Sequence, residues 1–254
     1  MNGLKILGAI AGTTFLSAIA VLGATTGVAR AFTLGGTLSE QEFENLGVEI
    51  PWAAESRIGI SGAGDHEVNI HDTDNDADRV QAEYDWVNGE SVDFALVFDS
   101  FANTLTYTVG GVVLEETRVV ADNFSDLYIR TSARTDGSSI LVDNLFLSDS
   151  SMSGNINAIA DSSCSGGVGC GYYDSEYLHI GNIVGDFTLT GQSLMSWGET
   201  LPTRSRLAYQ IKLVEGDRSN EEVEVPEPAS ISLLSLGLAG LFAAGKRRKA
   251  ESDR

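Results

Sequence analysis

The densest group of residues that could do chemistry lies in an acidic stretch in the first third of the chain. Its carboxylates alternate, and one more follows eleven residues after the first, so that the set comprises Asp72, Asp74, Asp76, Asp78 and Glu83. This spacing is typical of a twelve-residue loop that wraps Ca²⁺ with oxygen ligands. Ala77 stands where such loops normally carry Gly, and flanking helices are not evident. We therefore expect a Ca²⁺ loop that is not a true EF-hand, with a solvated acidic loop as the alternative.

The histidines add little to this site. His66 and His71 accompany the acidic stretch, but a five-residue gap places them on opposite faces of a strand, which disfavours a shared zinc or nickel ion. His179 stands beside Tyr177 and far in sequence from the other two. We predict surface roles for the first pair and a structural role for His179.

Two cysteines, Cys164 and Cys170, enclose the loop Ser-Gly-Gly-Val-Gly. In an oxidising compartment, thiols joined by a glycine-rich loop reach disulfide geometry without a large backbone penalty. A two-thiolate metal site is the alternative, but it needs further ligands, and the nearest histidine in sequence is His179. We predict a disulfide that closes a local loop.

The motifs of common enzymes are missing from the sequence. It holds no Gly-x-Ser-x-Gly elbow, no His-Glu-x-x-His and no phosphate-binding loop. Glycoside cleavage uses a pair of carboxylates, but this chain has so many carboxylates that such pairs arise by chance and do not indicate a glycosidase. Some aromatic side chains could stack on sugar rings, although packing in the core is the favoured role for them: Trp52, Trp86, Tyr172, Tyr173 and Trp197. We predict a protein without catalytic activity.

The elements that must position these residues are strands. Several short segments show a period-two pattern, which is typical of strands with one buried face. The residues that share one face are Val92, Phe94, Leu96 and Phe98; Leu105, Tyr107 and Val109; Leu127, Ile129 and Thr131; and Leu207, Tyr209, Ile211 and Leu213. Gly110-Gly111 is a two-residue hairpin signal. About eight to ten short strands with glycine-rich turns favour an all-β fold, an antiparallel β-sandwich of jelly-roll type over residues 32–214.

Other segments of the body are less regular. Residues 39–47 predict a short helix, and residues 55–60 predict the first strand of the domain. Residues 148–171, rich in Gly and Ser, are expected to be rich in loops. Residues 215–224 are highly charged without periodicity, which is typical of a flexible linker.

The N-terminus has the pattern of a secretory signal peptide. Lys5 supplies a positive charge, residues 6–24 form a long run of apolar and small residues, and Ala29-Arg30-Ala31 has the small-x-small form of a cleavage site. We predict that residues 1–31 are the signal peptide and that signal peptidase cleaves after Ala31, so that Phe32 becomes the first residue. An uncleaved N-terminal anchor is the alternative.

The C-terminus has three parts in order within residues 225–249. Val225 precedes the triplet Pro226, Glu227 and Pro228, an apolar run covers about residues 231–245, and the tail consists of Lys246, Arg247, Arg248 and Lys249. Prolines hold an extended backbone outside the membrane, the apolar run can span lipid as a helix, and the cations stay cytoplasmic. Fifteen helical residues reach about 22 Å, less than the roughly 30 Å of hydrocarbon, which suits a cleaved signal better than a permanent anchor.

This order of parts resembles the PEP-CTERM sorting domain. The resemblance covers the last part of the chain and implies processing near the Pro-Glu-Pro triplet by an exosortase-like membrane protease-transpeptidase. An ordinary single-span anchor is the alternative. The body resembles more weakly the W-type choice-of-anchor domains, through residues 55–59, 84–98 and 138–147. That resemblance implies a β-sandwich on a cell surface with no assigned activity.

The charge of the chain limits its partners. It carries 36 Asp and Glu against 16 Lys and Arg, a formal net charge of −20, and many of the cations lie in the two terminal segments. An acidic body disfavours nucleic acid as a partner, because affinity for nucleic acid comes largely from cationic contacts to phosphate.

Together these patterns predict an exported, non-enzymatic protein of the cell envelope or extracellular matrix. The export translocon, signal peptidase and an exosortase-type enzyme would handle it, and extracellular polysaccharide is a candidate partner. The C-terminal helix would anchor it transiently before it reaches the cell surface or matrix. The alternative is a carbohydrate-binding or adhesive module assisted by Ca²⁺.

Overall fold

The computed structural model describes residues 31–59, 67–74, 79–119, 123–168, 170–171 and 174–216. These residues form one helix, α1 (Glu40–Leu46), and fourteen strands. The strands are β1 (Thr33–Ser39), β2 (Trp52–Arg57), β3 (Val68–Asp72), β4 (Val80–Ala82), β5 (Ser91–Asp99), β6 (Thr104–Val109), β7 (Val112–Glu116), β8 (Phe124–Ala133), β9 (Ser138–Asp149), β10 (Ser153–Asn155), β11 (Ala160–Cys164), β12 (Glu176–Gly181), β13 (Phe187–Ser196) and β14 (Leu207–Glu215).

The strands form two antiparallel sheets that pack face to face as a sandwich. Sheet A has the order β1-β12-β8-β14-β2-β3-β4, and sheet B has the order β10-β9-β13-β5-β6-β7, with β11 also paired to β9. β10 and β11 pair with successive parts of β9, on the side away from β13. The predicted antiparallel β-sandwich is confirmed, and both sheets are built from residues 33–215.

The core between the sheets consists of the inward residues of the alternating strands. In β5 and β13 every second residue is buried, as the period-two pattern predicts. A polar contact crosses this apolar core, because the Tyr107 hydroxyl of sheet B donates to the Tyr209 hydroxyl of sheet A at 2.9 Å and also bonds the Ser56 hydroxyl at 2.8 Å. Burial raises the pKa of Tyr107 well above its ordinary value. These neutral hydroxyls fix one sheet relative to the other at a central point.

Helix α1 confirms the helix predicted for residues 39–47 and lies against the outer face of sheet A. Its start is a capping box, in which the Glu42 amide donates to the Ser39 hydroxyl and the Glu42 carboxylate accepts from the Ser39 amide at 2.9 Å. Gly47 ends it at φ 62°. A helix of seven residues depends on packing, and Phe43 provides it by stacking on Tyr177 with ring centroids 4.0 Å apart.

Two expectations about the strands are wrong, the position of the first strand and the number of strands. The domain begins with β1, ahead of the segment predicted as the first strand, and that segment is observed as Trp52–Arg57 with Ile58 and Gly59 outside it. The segment predicted to be rich in loops contains two short strands, β10 and β11, between its loops. The described strands number fourteen, more than expected. β1 escaped detection because it is an edge strand with almost every residue exposed, which leaves no period-two pattern.

The two terminal segments lie outside the described residues. These include the predicted signal sequence up to Arg30, the linker from Asp217 and the apolar run at 231–245. Among the residues that are described, none belongs to a helix of the length and apolarity needed to cross a membrane.

Candidate functional site

A groove of about 770 Å³ lies on the outer face of sheet B. Its floor is one row of facing residues across three neighbouring strands, with Ala95 of β5 between Thr108 of β6 and Thr190 of β13. The small Ala95 side chain leaves the depression, and the two threonine hydroxyls border it. The period-two alternation that buries Phe94 and Leu96 in the core also directs Ala95 outward.

A chain of hydrogen bonds crosses the groove one row further along. The Asn144 amide donates to the Gln192 side-chain carbonyl at 2.7 Å, and the Gln192 amide donates to the Asp93 carboxylate at 2.8 Å. The three residues come from β9, β13 and β5, so three adjacent strands position one polar array. The bonds orient the amides, and each group keeps further donor or acceptor capacity toward solvent.

A bulge in β9 brings Asn144 into this array. Thr190 pairs with Phe146 while Gln192 pairs with Asp143, so β9 holds one more residue than β13 at this point. Asn144 adopts φ 51°, a left-handed conformation that Asn, with its short polar side chain, tolerates better than most residues other than Gly. Opposite the bulge, a Cβ on Gly191 would lie 2.7 Å from both Leu145 and Phe94. Asn144 and Gly191 therefore both belong to the bulge, which turns the Asn144 amide toward the groove.

Tyr84 and Glu90 complete the groove at one end. The Tyr84 ring lies over the β6–β7 hairpin, where a Cβ on Gly110 would meet its hydroxyl at 2.3 Å, and it contacts Trp86 edge to face at 4.7 Å. Burial, with a smaller contribution from the Glu90 carboxylate, raises the pKa of Tyr84. Tyr84 is therefore a neutral phenol at physiological pH. The groove combines an aromatic ring with hydroxyl, amide and carboxylate groups, which suits a polar ligand.

A second polar group lies on the outer face of sheet A and has a structural arrangement. His179 Nε2 is 2.6 Å from Asp126 Oδ1, and the Ser125 hydroxyl donates to the other oxygen of Asp126 at 2.5 Å. Burial alone would raise the pKa of Asp126, but the hydrogen bonds from His179 and Ser125 outweigh it and hold the pKa below its ordinary value. The serine contacts the carboxylate and not the imidazole, so this is not the arrangement of a nucleophilic triad.

The other side of the His179 ring is closely covered. A Cβ on Gly35 of β1 would lie 2.0 Å from Nδ1, and the ring stacks on Tyr128 with centroids 4.4 Å apart. Gly35 is thus required for the edge strand to pass over the imidazole. The contacts agree with a structural role for His179.

The acidic stretch is only partly within the described residues. Asp72 is the last residue of β3, and its carboxylate accepts from the Asp74 amide at 2.8 Å. Glu83 is exposed just after β4. Asp76 and Asp78 lie outside the described residues, so Ca²⁺ binding here stays a prediction. Calorimetric titration of the protein with Ca²⁺ tests it, and an absence of binding heat would contradict it.

The predicted disulfide is confirmed. Cys164 at the end of β11 is bonded to Cys170, with Cα atoms 4.8 Å apart. The bond closes a loop whose Gly166 amide donates to the Asp136 carboxylate at 2.6 Å. Asp136 and the two sulfurs lie close enough together to resemble a ligand set, but sulfurs joined to each other are not thiolate ligands. A metal site at the cysteines is therefore excluded by the disulfide.

The aromatic residues named as sugar-stacking candidates serve the core where the structure describes them. Trp52 is 5% exposed, and Trp86 and Trp197 are partly buried and pack against the core. The Trp86 indole also donates to the Arg57 carbonyl at 3.0 Å. Tyr172 and Tyr173 lie outside the described residues. Sequence reasoning did not name Tyr84 as a stacking candidate, although it lines the groove.

Two residues at the predicted signal cleavage site are described. The Ala31 carbonyl accepts from the Asn182 side chain at 2.8 Å, and Phe32 packs against the core. A chain that starts at Phe32 would retain this apolar contact. Ala29 lies outside the described residues, and cleavage after Ala31 stays a prediction.

Comparison with known families finds one match at the C-terminus. Residues 224–249 match the PEP-CTERM protein-sorting motif, and they include the proline triplet and the basic tail. A search of curated proteins finds no match to the chain. The sequence-based interpretation of the C-terminus is confirmed, while the choice-of-anchor resemblance of the body stays a prediction. The motif implies export, transient anchoring in a membrane and processing by an exosortase.

Proposed function

We propose that this chain, whose C-terminus carries a PEP-CTERM protein-sorting motif, is a non-enzymatic β-sandwich protein of the cell envelope or extracellular matrix. The match over residues 224–249 carries the proposal, because it implies export and handling by an exosortase. The sandwich is the exported cargo, and the sorting segment brings it to the outside of the cell.

Three properties of the body support this role. The chain as a whole has a formal net charge of −20, with many of its cations in the terminal segments, and an acidic body favours solubility outside the cell. The disulfide between Cys164 and Cys170 suits an oxidising compartment. His179 is engaged by Asp126 and covered by the edge strand at Gly35, which suits structural support better than proton transfer.

Processing of the C-terminus tests the proposal directly. We would express the full chain in a host that contains an exosortase and measure the mass of the mature protein. We expect loss of residues 1–31 and of the basic tail that includes Lys246 and Arg247. A mature protein that retains the four terminal cations in such a host would contradict processing.

A matched pair of variants identifies the signal. Replacing both prolines, Pro226→Ala with Pro228→Ala, should leave the tail attached and the protein in the membrane fraction, because the extended segment before the helix is lost. Ser219→Ala, upstream of the matched residues, should be processed like the natural chain. Deleting the host exosortase should reproduce the effect of the double proline variant.

The envelope or matrix role needs a separate measurement. We expect the mature protein in the surface or matrix fraction, and we expect deletion of its gene to change the cohesion of that fraction without changing its enzymatic activities. Hydrolytic activity of the purified chain on envelope polymers that disappears on replacing one carboxylate would contradict the non-enzymatic part of the proposal.

A further inference from the structure

We propose that the groove on the outer face of sheet B binds an uncharged oligosaccharide, as a segment of an extracellular polysaccharide. This inference rests on the proposed function for the location of its ligand, but the binding itself depends only on the groove. The site is formed by Thr108, Ala95 and Thr190 in one row, by Asp93, Gln192 and Asn144 in the next, and by Tyr84 at one end.

The residues that line the groove include both hydrogen-bond donors and acceptors. Threonine hydroxyls donate and accept, the two amides present donors and acceptors, and the Asp93 carboxylate accepts. Sugar hydroxyls also donate and accept, so such a mixed array matches them better than it matches a ligand that only accepts. The bonds from Asn144 to Gln192 and from Gln192 to Asp93 hold the amides in place before a ligand arrives.

The array depends on a local departure from the regular sheet. Asn144 reaches the groove through the β9 bulge and its left-handed backbone, and a Cβ at position 191 on the facing strand would clash with Leu145 and Phe94. Bulges redirect side chains and are frequent next to functional sites. A bulge that turns a polar amide toward an open groove therefore supports a binding role for Asn144.

The size and charge of the groove select among ligands. A volume of about 770 Å³ falls within the usual range for small-molecule sites. The described residues that line it include Asp93 and Glu90 but neither Lys, Arg nor His. Carboxylates without a neighbouring cation repel phosphate and uronic acid groups. An uncharged sugar chain is therefore favoured over an anionic one.

A peptide fits this surface poorly. Peptides that bind sheets usually add a strand at an edge, where backbone groups are unpaired. The floor of this groove belongs to β5, which pairs with β6 on one side and with β13 on the other. Its backbone groups are therefore engaged within the sheet, and the floor has no unpaired strand edge to which a peptide could add.

The test is a binding measurement with the full chain in detergent micelles. The probes are oligosaccharides of four to eight glucose, mannose or galactose units, with uronic acid oligomers and an unstructured peptide library as the other arms. We expect one of the neutral series to bind with a saturable isotherm. Binding only by uronic acid oligomers or peptides, or binding by none of the probes, would overturn the proposal.

Variants of the same strand localise the site. Thr108→Val removes a hydroxyl from the groove, while Thr106→Val makes the same change two residues away on the same face of β6, outside the groove. We expect the first to weaken binding by about threefold to tenfold and the second to leave it unchanged, in line with the usual contribution of one hydrogen bond.

Two further variants distinguish the floor from the polar array. Ala95→Trp should fill the depression and abolish measurable binding, and Gln192→Leu should reduce binding by at least tenfold because it breaks both hydrogen bonds of the array. Circular dichroism confirms that each variant is folded. Equal binding by the natural chain and by folded Ala95→Trp would overturn the groove as the site.

Failure here is distinguishable from failure of the proposed function. Sorting is measured by the mass and location of the mature protein, and glycan binding is measured on purified chain. A protein that is correctly processed but binds no glycan would remove this inference alone. A protein that binds glycan but keeps its C-terminus would remove the sorting proposal alone.

Discussion

The outer faces of the two sheets have opposite characters. Sheet A is covered by α1, whose Glu40 is buried against Arg130, with an Arg130 Nη2 to Glu40 Oε2 distance of 3.1 Å. Tyr177 also donates to Glu40 at 3.0 Å. Sheet B carries its groove uncovered, with Asn144 exposed to solvent. Both faces carry polar groups, but sheet A binds them to a part of its own chain and sheet B leaves them open to solvent.

The comparison shows how the same kind of surface serves either stability or binding. On sheet A the charges are desolvated, and burial together with the nearby Arg130 lowers the pKa of Lys212. Charges held in this way must stay paired or the fold loses free energy. On sheet B the hydroxyls and amides contact water, so changing them costs the fold little and costs a ligand much. The predictions below separate these two cases.

The largest expected effect is the loss of the buried ion pair on sheet A. Arg130→Ala leaves Glu40 buried without its cation and removes a bond to Ser175. Breaking a buried pair from one side costs about 3–5 kcal/mol, which lowers the melting temperature by roughly 6–20 °C for a domain of this size. Differential scanning calorimetry measures it.

Arg118→Ala is the matched control for this prediction. Arg118 also pairs with a buried carboxylate, Glu116, at 2.9 Å, but the Arg118 side chain is 58% exposed whereas that of Arg130 is 11% exposed. Glu116 keeps its hydrogen bond from the backbone amide at position 118. We expect a smaller loss than for Arg130→Ala, because the Arg118 guanidinium is largely solvated and Glu116 keeps this backbone donor. Equal losses in the two variants would contradict the distinction between the faces.

The next effect concerns the disulfide at the border of sheet B. Replacing both cysteines, Cys164→Ser with Cys170→Ser, opens a loop with a sequence separation of six. Chain entropy predicts a loss of about 2 kcal/mol for so short a loop. Thermal unfolding with and without reductant measures it. Reductant should lower the melting temperature of the natural chain and leave that of the double variant unchanged.

A smaller effect is the acid sensitivity of sheet A at Asp126. Because the pKa of Asp126 is lowered in the fold, its contribution to stability is present above the unfolded value near 3.8 and is lost as the pH falls through the folded pKa. The melting temperature should therefore fall as the pH drops from about 5 toward 2.

Asp126→Asn should show a shallower decline over that range. Two other carboxylates also have lowered pKa values. In Asp149 hydrogen bonds outweigh the effect of burial, and in Asp186 the hydrogen bonds from Ser100 lower the pKa. Some decline of the melting temperature will therefore remain in the variant. Parallel curves for the natural chain and the variant would show that Asp126 makes no such contribution.

The smallest expected effect on stability is at the groove. Gln192→Leu and Thr108→Val change solvent-facing side chains of sheet B and should alter the free energy of unfolding by about 0.5 kcal/mol or less. Chemical denaturation with matched m-values measures it. A loss comparable with that of Arg130→Ala would mean that the groove residues maintain the fold instead of serving a ligand.

Much of the fold was predictable where one face of a strand is buried and the other is not. The alternation in β5, β6 and β14 identified those strands and their inward residues, including Phe94, Tyr107 and Tyr209. β1 and β10 were not predictable in this way, because both faces of these edge strands are largely exposed. Their place depends on tertiary pairing, which a local pattern does not report.

The groove could not be located from sequence, since its three bonded residues are 99 and 48 positions apart. One signal for it was nevertheless present. The inward residues of β9 run Ile140, Val142, then Leu145, a step of three that breaks the period of two. Such a step indicates a bulge, and the residue displaced by it is Asn144.

The position of β14 has a consequence for a protein held at its C-terminus. β14 is the last strand, and it is hydrogen-bonded on both sides, to β8 and to β2. Mechanical tension applied through residue 216 would load this interior strand along its length, so that many hydrogen bonds resist together. An edge strand under the same pull would be held by the hydrogen bonds of one partner strand only. The sandwich is thus connected to its tether by a strand well placed to bear tension.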